Sequence, residues 1–175
     1  IIEIYILLGA NYYTLGYQNG DITLLFKALD YLEKPLQESL KLNLTKQIAL
    51  AHHFIGNTYK CISDNVNEDA KKLEYIQLCI DHQNEALKNI NPISNTRMYS
   101  GICNNLAIGY AYIGRMKKDP VYLEKALKSL NNLSQLLSHE KDTSGYLIVL
   151  TNQAYIQSEI FLLSSNTDWI DKSNT

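Results

Sequence analysis

One short pattern recurs four times along this chain and constrains its fold more than any other feature. In three copies a glycine lies three places before a tyrosine, and in the fourth an asparagine takes the place of the glycine. The four pairs are Gly9 and Tyr12, Gly56 and Tyr59, Gly109 and Tyr112, and Asn152 and Tyr155. Recurrence of this kind is the signature of a repeat architecture, in which each unit buries its apolar face against its neighbours.

A predicted helix start follows each copy of this pattern. The predicted N-cap residues are Asp21, Asp69, Asp119 and Asn166, which lie 48, 50 and 47 residues apart. Asp and Asn side chains favour this position because they accept hydrogen bonds from the first free backbone N–H groups. Downstream of each cap, apolar residues recur at three- and four-residue steps, which is the spacing of an amphipathic helix.

The polar connections between these segments contain Gly, Asn, Asp and Pro, and no segment shows the strict alternation of a strand. We therefore predict an all-α fold with about seven helices, and Pro35 should kink or split the second one. The predicted helices cover residues 2–16, 22–41, 45–62, 69–90, 95–114, 120–138 and 143–164, and an eighth begins at Asn166.

The recurring glycines have a packing explanation. A glycine inside a helix costs about 1 kcal/mol relative to alanine, so its return at matching places indicates that a second helix passes close by. We expect the small residues of the second helices to face these glycines. Those residues are Ala28, Ala86 and Ala126.

The same residues resemble the tetratricopeptide repeat. The match is carried by Leu8, Gly9 and Tyr12, by Ile55, Gly56 and Tyr59, and by Ile108, Gly109 and Tyr112. The units are longer than is usual for that family, and in this they resemble the repeats of bacterial signalling and effector proteins, including those attached to caspase-like peptidase domains. The resemblance implies a right-handed superhelical solenoid of antiparallel helix pairs.

The resemblance covers nearly the whole chain, which we expect to form one helical-repeat domain. Its units are residues 1–41, 45–90, 95–138 and 143–175. The last unit restarts the pattern between Asn166 and Ser173 and then stops, so we expect the chain to be a stretch of a longer solenoid. Solenoids keep polar capping faces at their ends for solubility. Because the ends of this stretch lack such faces, we also expect it to self-associate.

Composition and charge disfavour several classes of partner. The formal net charge is −2 and the basic residues are scattered, so we expect no nucleic-acid partner and no membrane partner. Three cysteines without a CxxC pair fit reduced thiols, and the sequence start lacks the basic leader of a signal peptide. We expect a cytoplasmic protein.

No pattern in the sequence indicates an enzyme, a cofactor or a metal. His52 and His53 are adjacent and should point to different faces of a helix, and Cys79 with His82 supplies at most half a zinc site. The sequence contains no nucleophile elbow, phosphate loop or dinucleotide fingerprint. We therefore expect no catalytic residues and no cofactor within this chain.

In tetratricopeptide proteins the first helices line a concave groove that holds a partner, and the resemblance implies the same surface here. Counting from each glycine places Ile6, Ala10, Ile113, Val149 and Ile156 in the groove. The residues with which we expect a partner to make contact are Tyr13, His53, Asn57, Lys60, Leu106, Tyr110 and Gln153. Asn57 lies where family members that grip a peptide carboxylate keep an asparagine.

The sequence thus favours a protein–protein interaction scaffold that binds a partner segment, or docks an effector domain of its own parent, through the concave face. Two alternatives stay open. One is a regulatory or sensor region of a larger enzyme, such as a peptidase or a kinase. The other is a receptor for a signalling peptide or a small ligand.

Overall fold

A computed structural model describes residues 1–140 and 143–173, with 138–140, 143–144 and 165–173 described by their backbone alone. This part of the chain contains seven helices and no strand, so the all-α prediction is confirmed. The helices are α1 (Ile2–Asn19), α2 (Ile22–Lys41), α3 (Thr45–Asp64), α4 (Asp69–Lys88), α5 (Thr96–Lys117), α6 (Pro120–Glu140) and α7 (Thr143–Ser173).

The predicted helix caps are confirmed at Asp21 and Asp119 and wrong at Asp69 and Asn166, the last of which lies inside α7. Asp21 caps α2, since its Oδ1 accepts hydrogen bonds from the backbone N–H groups of Thr23 at 2.8 Å and Leu24 at 3.3 Å. The Oδ1 of Asp119 accepts from the N–H of Val121 at 3.0 Å at the start of α6. By contrast, Asp69 is the first residue inside α4, where a carboxylate still interacts favourably with the helix dipole. The N-cap of α4 is Glu68.

Two predicted breaks of helices are absent, and the kink at Pro35 stays a prediction. α2 continues through Pro35 without splitting. The predicted break before Asn166 is also wrong, because α7 runs as one helix from Thr143 to Ser173. No Gly or Pro lies in the segment 160–173, and the Ser164 hydroxyl donates back to the carbonyl of Phe161 at 2.9 Å, so no strong breaker ends the helix there.

The chain divides into two compact units, Ile1–Asn105 and Leu106–Thr175. In the first unit α1 packs on α2, α3 packs on α4, and both α1 and α2 contact α3. The core of this unit contains the apolar residues Ile6, Leu32, Leu36, Ile48, Ala51 and Ile55 in one cluster and Leu25, Cys61 and Ile62 in another. In the second unit α6 packs on α7. The superhelical solenoid and the four-unit division stay predictions.

The close approach predicted at the glycines is confirmed at Gly9 and Gly56, where the nearest side chains are those of Leu32 and Gln83. A Cβ atom on Gly9 would lie 2.5 Å from Leu32 Cγ, and one on Gly56 would lie 2.7 Å from Gln83 Nε2. The carbonyl oxygen of Ala28, the alanine predicted to face Gly9, lies 3.2 Å from the same position, whereas no atom of Ala86 is among the three nearest to the Gly56 position. A larger side chain on the second helix therefore occupies the space that each glycine leaves.

A second recurring motif, which the sequence reading missed, forms the turn after the first helix of a pair. Gly16 and Gly114 each lie five residues before a capping aspartate, and their carbonyls accept from the N–H of Asp21 at 3.0 Å and of Asp119 at 2.9 Å. The residue before each aspartate, Gly20 or Lys118, adopts a positive φ of 64° or 51°. This left-handed residue ends the first helix so that the second can begin at once.

Candidate functional site

The apolar residues predicted to line a groove are buried. Leu106 is only 2% exposed, so its side chain offers no surface to a partner, and its assignment to the groove is wrong. Counting positions along a helix cannot separate the face that packs internally from the face that looks outward. The same correction applies to Ile6, Ala10, Ile113, Val149 and Ile156, all 9% exposed or less.

Two of the predicted polar residues, His53 and Asn57, meet in a hydrogen-bonded cluster with Gln83 and Asn105, which we call the amide network. Gln83 Oε1 lies 3.1 Å from His53 Nδ1, and Gln83 Nε2 donates to Asn57 Oδ1 at 2.9 Å and to the His53 carbonyl at 3.3 Å. Asn105 Nδ2 donates to the same Asn57 oxygen at 2.5 Å. The network therefore links α3, α4 and α5.

These contacts assign the tautomer of His53. Since Gln83 Nε2 donates to other groups, its Oε1 is the acceptor, and His53 Nδ1 must carry the proton. His53 Nε2 then accepts from Asn57 Nδ2 at 3.2 Å. Burial lowers the pKa of His53, although its hydrogen bond to Gln83 raises it, which keeps the ring neutral at pH 7.

The side chain of Asn57 is already fully hydrogen-bonded, because its Nδ2 and its Oδ1 both have partners within the first unit. Asn57 therefore acts as a structural bridge between helices. Every buried side-chain nitrogen or oxygen atom of the described residues has a hydrogen-bond partner, so the cluster leaves none of its buried groups unsatisfied.

In front of the amide network lies a cleft of about 450 Å³ between α3 and the start of α5, which we call the α3–α5 cleft. His53 is part of its wall, and α5 approaches this ring so closely that a Cβ on Gly101 would lie 3.2 Å from His53 Cε1. The lining residues are Lys46, Leu50, His53, Phe54, Ser94, Asn95, Thr96, Arg97 and Met98.

The cleft combines positive charge with an apolar wall. None of its lining residues is acidic, and the exposed side chains of Lys46 and Arg97 form no ion pair with the described residues. Leu50, Phe54 and Met98 supply apolar surface next to these cations. Such a site can accept a carboxylate together with a neighbouring apolar group.

A separate histidine pair joins α3 to α4. His52 Nδ1 and His82 Nδ1 are 2.9 Å apart, so one ring donates and the other accepts, and the two rings cannot both be protonated in this geometry. The pKa of His82 is lowered to about 4, mainly by burial and to a smaller extent by repulsion from His52. Asp81 and Glu85 line the same open depression, which has a volume of about 380 Å³.

Cys79 does not join these imidazoles in a metal site. The thiol is 1% exposed, and burial raises its pKa to about 12, which keeps it protonated and a poor metal ligand. Among the residues that were described, no group of three or more His, Cys, Asp or Glu side chains is arranged to hold a metal ion.

The remaining predicted contact residues make local interactions within their own unit. In the first unit, Tyr13 packs its ring 6.2 Å from that of Phe54, and Lys60 forms a 2.6 Å ion pair with Asp64. In the second unit, the Lys125 ammonium lies 5.9 Å from the centre of the Tyr110 ring, and Gln153 Nε2 donates to Asn131 Oδ1 at 2.7 Å.

Sequence reasoning missed Gln83, Asn105, Lys46 and Arg97. For Gln83 a signal was available, since it interrupts an apolar stripe of α4 that runs through Cys79, Ile80 and Ala86 at three- and four-residue steps. A polar residue in such a stripe either faces solvent or is bonded inside the core. Lys46 and Arg97 carried no comparable signal, because their proximity depends on how α3 and α5 pack.

Comparison with known proteins adds no assignment to this geometry. Within the described residues, no helix combines the length and the apolar character needed to cross a bilayer. No family model matches the chain, and no curated protein matches it. The likeness to the tetratricopeptide repeat therefore stays a prediction.

Proposed function

We propose that this chain is a protein-interaction module and that its α3–α5 cleft binds an extended segment of a partner protein. The observation that carries the proposal is the cleft itself, about 450 Å³ in volume and lined by cations and apolar side chains together. This volume lies within the range of ligand pockets, about 300–1,000 Å³.

The lining determines which segment fits best. Lys46 and Arg97 attract a carboxylate, and an arginine can hold it through two parallel hydrogen bonds. Leu50, Phe54 and Met98 favour an apolar side chain beside that carboxylate. The partner segment therefore carries Asp or Glu next to a residue such as Leu or Phe.

The amide network supports this function by keeping the wall of the cleft rigid. His53 is hydrogen-bonded through both ring nitrogens, to Gln83 and to Asn57, so its ring has a fixed orientation before any partner arrives. A preorganised wall lowers the entropic cost of binding.

The test is a selection of random peptides on the immobilised protein, followed by affinity measurement by fluorescence polarisation. We expect the selected peptides to contain Asp or Glu beside an apolar residue. The double charge reversal Lys46→Glu with Arg97→Glu should weaken their binding by about tenfold or more, since two charge-assisted contacts are replaced by repulsion.

Lys71→Glu is the matched control, because Lys71 is an exposed lysine of α4 outside the cleft. It should leave the affinity within about twofold of wild type, as expected for a charge far from the contact surface. Selected peptides without acidic residues, or an unchanged affinity in the double variant, would refute the proposal.

A further inference from the structure

A line of exposed residues, apolar except for Asn11, runs along α1 from its N-cap residue Ile1. Ile1, Ile4, Leu8 and Leu15 are 91%, 60%, 39% and 47% exposed, and they recur with Asn11 at alternating steps of three and four residues. This spacing places them along one line of a helix, which is the pattern of a helix–helix contact. We call these five residues the α1 stripe.

The repeat identifies what this stripe is built for. Gly9 of α1 matches Gly56 of α3, a shift of 47 residues, and the same shift carries the α1 stripe onto a line of α3. Every residue on that line of α3 is buried, with an exposed fraction of 6% or less. These residues are Ile48, Ala51, Ile55, Thr58 and Ile62.

The line on α3 is buried because the α1–α2 hairpin packs on it. Ile48, Ala51 and Ile55 belong to one core cluster with Ile6 of α1 and with Leu32 and Leu36 of α2. At the other end of the same line, Ile62 belongs to a cluster with Leu25 of α2. A pair of antiparallel helices thus covers these positions on α3.

We propose that the α1 stripe is a docking surface for an antiparallel helix pair of the same kind as α1–α2. The occupant packs on α1 as α1–α2 packs on α3, and it presents apolar residues at the places equivalent to Ile6, Leu25 and Leu32. The equivalence of the α1 stripe to the buried line of α3 selects this occupant, since the same repeat positions carry apolar side chains in both helices, apart from Asn11 and Thr58. The stripe is separate from the α3–α5 cleft, so this inference does not depend on the proposed function.

The test supplies such a helix pair by duplication within the full chain. A copy of residues 1–47 is placed directly before Ile1, so that the 47-residue register continues. We expect the added hairpin to fold onto the α1 stripe and to raise the melting temperature by roughly 5 °C, because new apolar surface is buried.

Ile4→Glu in the original α1 is the discriminating variant. In the chain without the added copy, this exposed position should tolerate the change, and the melting temperature should stay within about 2 °C of wild type. In the duplicated chain the same change should abolish the gain, since it places a charge in the new interface.

Two outcomes would overturn the proposal. One is a duplicated chain with an unchanged melting temperature and an added segment that proteases remove as fast as an unfolded tail. The other is that the self-association expected from the sequence occurs through the stripe, so that the wild-type chain dimerises in sedimentation experiments and Ile4→Glu makes it monomeric. A second copy would then be the occupant.

Discussion

At the scale of single residues, Gln83 has two roles, one in packing and one in hydrogen bonding. Its side chain is fully buried, it occupies the gap left by Gly56, and its amide connects His53 with Asn57. A buried polar network of this kind stabilises a fold only if every member is satisfied, so the loss of one member leaves the others without partners.

Gln83→Met tests this role. Methionine keeps the length and lack of branching of glutamine but leaves His53 Nδ1–H without its acceptor. We expect the free energy of unfolding to fall by about 2 kcal/mol in urea denaturation, the usual cost of an unpaired buried polar group. Gln77→Met on the exposed side of the same helix is the control and should change stability by less than about 0.5 kcal/mol. Equal stabilities of the two variants would contradict the structural role of Gln83.

At the scale of helices and turns, the two aspartate caps belong to a larger unit. The turns before α2 and α6 share a glycine, a residue with positive φ and a capping aspartate, whereas the N-cap of α4, Glu68, makes no side-chain cap hydrogen bond. Asp21 and Asp69, which look equivalent in the sequence, therefore have different functions in the fold.

A pair of alanine substitutions separates the two functions. Asp21→Ala removes the acceptor for the N–H groups of Thr23 and Leu24, and we expect it to cost about 1 kcal/mol of unfolding free energy. Asp69→Ala removes only a favourable charge near a helix start and should cost less than about 0.5 kcal/mol. Thermal or urea denaturation measures both, and a larger loss for Asp69→Ala would be inconsistent with these cap assignments.

At the scale of the whole molecule, the buried histidines couple stability to pH. Burial is the main cause that lowers the pKa values of His52, His53 and His82 below 6.5. The folded protein therefore binds fewer protons than the unfolded chain, so the contribution of these residues is complete above pH 6.5 and is lost as the pH falls towards 4.

We expect the unfolding free energy to fall by on the order of 1–2 kcal/mol between pH 7 and pH 5, a range in which most carboxylates stay ionised. Because His52 and His82 line an open depression, solvent screening keeps this change small. His82→Gln removes one titrating ring and relieves the conflict with His52, so the loss should be smaller in this variant. Asp81 and Glu85 also line this site. The wild type and the variant are therefore compared only above about pH 5, where such carboxylates stay ionised. A pH dependence identical to that of wild type would rule out His82 as a source of the effect.

Local periodicity was enough to predict the seven helices of the described residues and to place most of their bounds within about two residues. The stripe of apolar residues in α2 and the cap at Asp21 depend on neighbours within one or two turns, so the sequence carries them directly. The glycine spacing likewise predicted a close approach at Gly9 and Gly56, although not the side chain that faces each of them. The break before Asn166 was wrong because weak polar signals do not end a helix.

The sequence by itself determined an all-α chain with a repeating pattern, since both properties arise from short-range spacing. Only the tertiary structure decided which residues meet: Gln83 reaches His53 across 30 positions, and Asn105 reaches Asn57 across 48. It also decided that Leu106 is buried while Ile4 is exposed, although both are apolar residues on first helices. Burial depends on which neighbouring helix covers a face, and spacing along one helix carries no information about that neighbour.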